Sequence, residues 1–135
     1  MTTTQRLKDA LITYLNLLAP SPSISVVDSK QRADIDLPTL AVEVGSVEPH
    51  SAALLYVQRA QVTIKLRLHA GDEDEADVDN WIDQIESLLN DPSAVEAASG
   101  DNLRMDYWIY SGSSQEWDES ILEVSFEAES LITRI

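Results

Sequence analysis

The alternation of apolar and polar positions divides the chain into seven elements, in the order α-β-β-β-α-β-β. Leu7, Ala10, Leu11, Tyr14, Leu15 and Leu18 recur at the i, i+3, i+4, i+7 spacing of one helical face. Arg6, Lys8, Asp9, Thr13 and Asn16 fall largely on the other face, and Thr2 and Gln5 have the spacing of a capping box. Ala19-Pro20-Ser21-Pro22 stops this helix, because proline lacks a donor and clashes with the preceding turn. Ser23 to Asp28 reads as a short strand, Ser29 to Pro38 as a polar loop and Thr39 to Val47 as a second strand. Glu48 to Leu54, with Pro49 and two alanines, breaks the pattern and predicts an exposed loop. Val62, Ile64, Leu66 and Leu68 then alternate with Gln61, Thr63, Lys65, Arg67 and His69, so that one strand face meets a core and the other meets water or a partner.

Gly71 to Glu75 opens a second helix whose stripe is Val78, Trp81, Ile82, Ile85, Leu88 and Leu89. Acidic residues crowd its first turns, where the helix dipole favours negative charge. Asn90-Asp91-Pro92 ends it, and Pro92 to Ala98 leaves room for a further helical turn or two. Leu103 to Tyr110 reads as a strand rich in aromatics, and Ser111-Gly112-Ser113-Ser114 as a turn or loop. In the last strand Leu122, Val124, Phe126 and Ala128 share one side, and Glu123, Ser125, Glu127 and Glu129 the other. Residues 1–135 show no linker or repeat, so the prediction is a single α+β domain. Its mixed or antiparallel sheet of about four to five strands carries the N-terminal helix and the second amphipathic helix on one face.

Charge narrows the functional classes. Twenty-four acidic residues face nine basic ones, a formal net charge of −15. Such a chain repels a phosphate backbone, which is bound through Lys and Arg, and this argues against sequence-specific DNA binding. The acid serves solubility, or lets DNA slide past without adhesion, or meets a basic partner. There is no cysteine, which removes disulfides, thiolate zinc sites and thiol nucleophiles and fits a reducing compartment. The N-terminus lacks a signal-peptide pattern, and no apolar run reaches the ~20 residues of a membrane helix. A soluble protein without a membrane partner is the expectation.

Candidate chemistry is sparse. His50 lies in a Pro-His-Ser segment and His69 ends the alternating strand on its polar side, but no nucleophile motif such as Gly-x-Ser-x-Gly accompanies them. The four glycines are scattered and make no phosphate loop. Asp72, Glu73, Asp74, Glu75, Asp77 and Asp79 resemble a calcium loop only superficially, because Gly71 precedes the cluster instead of sitting within it. No pair of carboxylates is marked out for glycoside hydrolysis. The expectation is a protein without catalytic residues, cofactor or metal.

Candidate interaction residues are better defined. Trp81 belongs to the core stripe, while Trp108 and Tyr110 share one strand face and Tyr107 takes the other. Trp117, among Glu116, Asp118 and Glu119, either caps the core edge or anchors an interface. Arg59, Lys65 and Arg67 lie on or just before the polar side of the alternating strand. They pair either with Glu123 or Glu127 of a neighbouring strand or with acids of an adjacent subunit. Residues 48–56 suit a docking loop with Leu54, Leu55 and Tyr56 as apolar anchors; the competing reading places Leu54 and Leu55 in the long strand and its core.

The order of elements resembles the tail terminator, or tail-completion, proteins of long-tailed bacteriophages. The matching pieces are Thr4 to Leu18, Leu37-Pro38-Thr39-Leu40-Ala41-Val42, Gln61 to Leu68, Asp72 to Leu89 with Asp91-Pro92, and Trp117 to Ile132 with its Trp-Asp-Glu-x-x-Leu-x-Val-x-Phe run. They span nearly the whole chain and are patterns rather than invariant signatures. The resemblance implies a structural protein of the virion's tail–neck region, assembled in the host cytoplasm. It implies a ring, usually hexameric, that caps the tail tube, stops its polymerisation and receives the head's neck connector, with genomic DNA passing through the lumen unbound. It carries over no catalytic residues. Another neck or head–tail connector component, and an acidic adaptor or DNA mimic that binds a basic protein, are the alternatives.

Overall fold

The strict alternation of residues 61–69 lies at the centre of a sheet. The computed structural model describes residues 2–16, 25–28, 39–51, 54–69, 75–97, 103–118 and 121–134. Its elements are α1 (Thr3–Leu15), β1 (Ser25–Asp28), β2 (Thr39–Ser51), β3 (Leu54–His69), α2 (Glu75–Leu89), α3 (Pro92–Ala97), β4 (Leu103–Asp118) and β5 (Ile121–Arg134). The described strands form one five-stranded sheet in the order β1-β2-β3-β5-β4. β1 runs parallel to β2, and every other pairing is antiparallel. This is the mixed α+β fold that the apolar pattern predicts.

Register decides which residues form the core. Val42 stands opposite Ile64, which stands opposite Phe126; Leu40, Leu66 and Val124 make the next row. All six are buried. Directly opposed residues project from the same face, so these rows make one continuous apolar surface. Leu7, Leu11 and Leu15 of α1, Trp81, Ile85 and Leu89 of α2, and Val95 of α3 close over it in a single core.

The helix ends are fixed by local chemistry. The Thr2 hydroxyl accepts from the Gln5 backbone N–H at 3.1 Å, half of the expected capping box. The Gln5 side chain turns instead to Asp9 and Asp28. The last turn of α2 has no basic residue, and two of its free carbonyls take side-chain donors from elsewhere in the fold. Tyr14 Oη donates to the Leu88 carbonyl at 2.8 Å, and Trp108 Nε1 to that of Leu89 at 2.7 Å. Asp91 then starts α3, its carboxylate accepting from the Ala94 N–H at 3.3 Å ahead of the predicted proline-led turn.

Three expectations change. The exposed loop predicted over 48–54 is a hairpin arm. Glu48 pairs with Arg59, Pro49 with Gln58 and Ser51 with Leu54. Pro49 is tolerated because β1 pairs with β2 only over residues 39–42, so among the described strands the far part of β2 is paired on one side only. The turn predicted at 111–114 is an irregularity inside β4, between Tyr110 and Gly112, which lets the strand continue to Asp118. Gly112 has φ +134°, a conformation side chains disfavour, although a Cβ there would meet nothing within 4 Å. Lys8, placed by periodicity on the polar face, is buried, with Nζ 3.3 Å from Asp28 Oδ1. The pair pins β1 to α1. The predicted loop over 29–38 and the acids 72–74 lie outside the described residues.

Candidate functional site

The second face of the sheet carries the polar half of each alternating strand. Arg59, Gln61, Thr63, Lys65 and Arg67 of β3 stand opposite Leu131, Glu129, Glu127, Ser125 and Glu123 of β5. Glu43 of β2 joins them opposite Thr63. The face is not uniformly open, because Val27, Thr39 and Ala41 at its β1–β2 corner are buried.

Arg59, Lys65 and Arg67 are therefore brought to one surface, and each has a partner within the chain. Lys65 Nζ lies 3.4 Å from Glu43 and 3.8 Å from Glu123. Arg67 Nε lies 3.2 Å from Glu123, close enough for charge attraction but not aligned as a hydrogen bond. Arg59 Nε lies 3.2 Å from Glu129. Of the two pairings the sequence allows, the one with a neighbouring strand is present in the single subunit. These contacts are partly exposed and screened, so each contributes about 1 kcal/mol or less.

Glu129 is the hub of this network. It accepts from Tyr107 Oη at 2.8 Å and from Gln61 Nε2 at 3.4 Å. The Tyr107 hydrogen bond, with help from Gln61 and Arg59 and against some desolvation, holds its carboxyl below the usual glutamate value. The same hydrogen bond raises the Tyr107 phenol, a shift that burial and the carboxylate charge reinforce and Arg59 opposes. At the start of β4, Arg104 Nε donates to Asp106 at 2.7 Å, and Thr133 Oγ1 donates to the same carboxylate.

Trp117 is 60% exposed, so it does not close the core edge. Sequence reasoning passes over Ile109, which is 55% exposed on the polar face opposite Glu129. Its signal is an apolar residue at a polar-parity position, shared with Leu131 on the neighbouring strand. Leu54, Leu55 and Tyr56 begin β3; their side chains, and those of His50 and His69, lie outside the described residues.

The helical layer differs in charge. Between Arg67 and Arg104 the sequence has eleven Asp and Glu but no Lys or Arg. A shallow groove of about 650 Å³ on this side is lined by Asp83, Glu86, Ser87, Asn90 and Tyr110, and Ser113 Oγ donates to Glu86 at 2.9 Å. Among the described residues no group of three His, Cys, Asp or Glu is placed to hold a metal ion, and no helix is long and apolar enough to cross a membrane. No protein-family model matches the chain. No curated protein matches it either.

Proposed function

We propose that this chain is a structural phage protein: a ring-forming tail terminator that caps the tail tube, stops its polymerisation and presents a docking surface to the neck. The observation that carries the reading is the exposed Trp117 on a strand of a sheet whose described helices pack on one face. A large aromatic left in water on a rigid strand is the kind of residue that anchors protein interfaces. Lys65 and Arg67 beside Glu123, and Arg59 beside Glu129, would set register at such a contact more than its strength. Leu54, Leu55 and Tyr56, at the end of a hairpin arm, remain candidates for contact with a neighbouring subunit or the tube.

The test is the mass of the purified chain in solution, alone and with tail-tube protein, together with tube length when it is added to polymerising tubes. A ring and shortened tubes are expected. Unaltered tube lengths at saturating protein reject the terminator role.

An acidic adaptor is the second reading, favoured by the stretch without cations that makes up α2 and α3. It requires a monomer or dimer that inhibits a DNA-binding protein in competition with DNA, and a ring without that inhibition removes it.

A further inference from the structure

We propose that the outer edge of β4 takes up an extended, basic segment of another protein as an added strand, gripped at Trp117 and beside the acids of α2. The proposal deepens the reading of Trp117 as an interface residue and rests on that reading alone, not on ring formation. β4 lies at one end of the sheet, and among the described strands it pairs with β5 only. Its outer N–H and C=O groups therefore have no described strand beside them. Two irregularities interrupt its ladder, but residues 112–118 keep unbroken register with β5, and Ser113 to Trp117 are all exposed. Residues 107–115 hold no charged residue and no proline, the devices with which edges are commonly blunted. The outer side of β2 is also unpaired beyond residue 42 among the described strands, but it carries Glu43, Glu48 and Pro49. Of the two long edges, β4 is the one open to pairing.

The exposed side chains fit an edge rather than a face. Trp117 and Ile109 are the exposed large hydrophobic residues among those described. Trp117 stands opposite buried Leu122 and so projects on the helix side, while Ile109 stands opposite Glu129 on the open side. A partner seated on either face covers one of them. A strand laid beside β4 flanks both, because its own side chains alternate between the two faces.

Charge defines the occupant. Trp117, Gln115, Ser113 and Tyr110 make one row, opposite buried Leu122, Val124, Phe126 and Ala128. At its Ser113 end the row meets α2. Ser113 donates to Glu86, and Asp83 and Glu86 line a groove with Tyr110 that has no Lys or Arg among its lining residues. An added strand thus meets an aromatic ring and, about 13 Å further along the same side, two carboxylates. The matching segment carries an apolar side chain and, four positions from it, a lysine or arginine, a spacing that keeps both on one side of a strand. A second copy is a poor source of that cation, since Arg59, Lys65, Arg67 and Arg104 each lie beside a carboxylate of their own subunit.

The probe is a nine-residue peptide of valine and threonine with leucine at its centre and lysine at both ends, so that either strand direction suits. Its binding to the full chain is read by fluorescence anisotropy. The peptide should bind, less tightly in high salt, and its glutamate counterpart at least about tenfold more weakly. Methylating one of the two alternating sets of its amide nitrogens should abolish binding, and methylating the other should not. Trp117→Ala should lower affinity at least about tenfold, and Glu86→Lys should reverse the preference between the two peptides, with circular dichroism to check both folds. On binding, amide hydrogen exchange should slow in residues 107–117 and stay unchanged in 43–51. No binding at millimolar peptide, equal affinity for the two peptides, indifference to Trp117→Ala or protection confined to 43–51 overturns the proposal. Protection of 107–117 that rises with the concentration of the chain alone places a second copy on the edge and overturns it too. The tube-length assay judges the terminator role separately.

Discussion

The two sides of this molecule carry charge in different ways. On the open sheet face, Arg59, Lys65 and Arg67 alternate along β3 and meet Glu43, Glu123 and Glu129 on the strands beside it. On the helical side, Asp77, Asp79, Asp83, Glu86, Asp91 and Glu96 follow one another along α2 and α3 with no Lys or Arg between them. Along β3 the strand register brings opposite signs within reach, whereas a solvated helix surface tolerates a single sign. The sheet face is thus largely neutralised within the subunit. The helical side keeps its field for water, salt or another molecule. Adding salt should weaken the sheet-face pairs and relieve repulsion across the helices.

The sharpest difference lies between the two faces of β3 itself. Ile64 and Leu66 are buried under the helices, while Thr63 is partly exposed and donates to Glu127. Ile64→Ala or Leu66→Ala should cost roughly 2–5 kcal/mol, through lost burial and the cavity left behind. Thr63→Ala should cost about 1 kcal/mol or less. Urea unfolding of the three variants measures the contrast, and a loss below ~1 kcal/mol for Ile64→Ala would reverse the assignment of faces.

A second contrast sets one ion pair against another. Lys8 and Asp28 are 6% and 13% exposed in their side chains, whereas Lys65 and its partner Glu43 are 22% and 40% exposed. Removing Lys8 leaves a carboxylate with little water to solvate it, so Lys8→Ala should cost roughly 3 kcal/mol. Lys65→Ala should cost about 1 kcal/mol or less, and less still in high salt. Equal losses in the two variants would show that the α1–β1 contact is wetter than its burial implies.

The hydrogen bonds that close α2 should give a smaller effect. Tyr14→Phe keeps the ring but leaves the Leu88 carbonyl without its donor, a loss of about 1 kcal/mol. Burial pushes the Tyr14 phenol above its ordinary value of 10.0, and Asp91 adds to the shift. The stabilisation linked to this shift is complete below that ordinary value and disappears as pH rises through the higher folded value. Wild type should therefore lose more stability than Tyr14→Phe on going from neutral to strongly alkaline solution. Parallel pH profiles for the two proteins would remove Tyr14 from this role.

These contrasts also show what could be read before the structure. Periodicity reports the environment of whole faces, so Leu7, Trp81, Ile64 and Val124 were legible as core. It fails where one residue meets an unusual neighbour. Lys8 has the spacing of a solvated residue and is buried only because Asp28, twenty positions later, comes beside it. Pro49 and Gly112 look like breaks, but a strand side unpaired among the described strands and a local irregularity absorb them. The basic residues of β3 could be placed on one face from their alternation. Their partners depended on strand order, which local pattern does not determine. Ile109 was hidden by the irregularity between Met105 and Tyr107, which changes the parity of β4 until the second irregularity, between Tyr110 and Gly112, restores it.

The smallest expected effect probes the network beside Ile109. Tyr107 donates to Glu129, and this bond shifts the two groups in opposite directions. The Glu129 carboxyl is lowered, so its contribution is present above the ordinary glutamate value and is lost as pH falls through the lower folded value. The Tyr107 phenol is raised, so its contribution is present below the ordinary tyrosine value and is lost as pH rises through the higher folded one. Between those limits the bond is intact, and it holds the Tyr107 ring in place opposite Leu131. Tyr107→Phe should let the Glu129 carboxyl titrate at higher pH while Gln61 and Arg59 still hold it partly down, as a side-chain carboxyl NMR titration would measure. Stability near neutral pH should change little, because the site is near the surface. A Glu129 titration unmoved by Tyr107→Phe would show that the charge on Arg59, rather than the phenol, governs this carboxylate, and that the aromatic ring is not fixed by its hydroxyl.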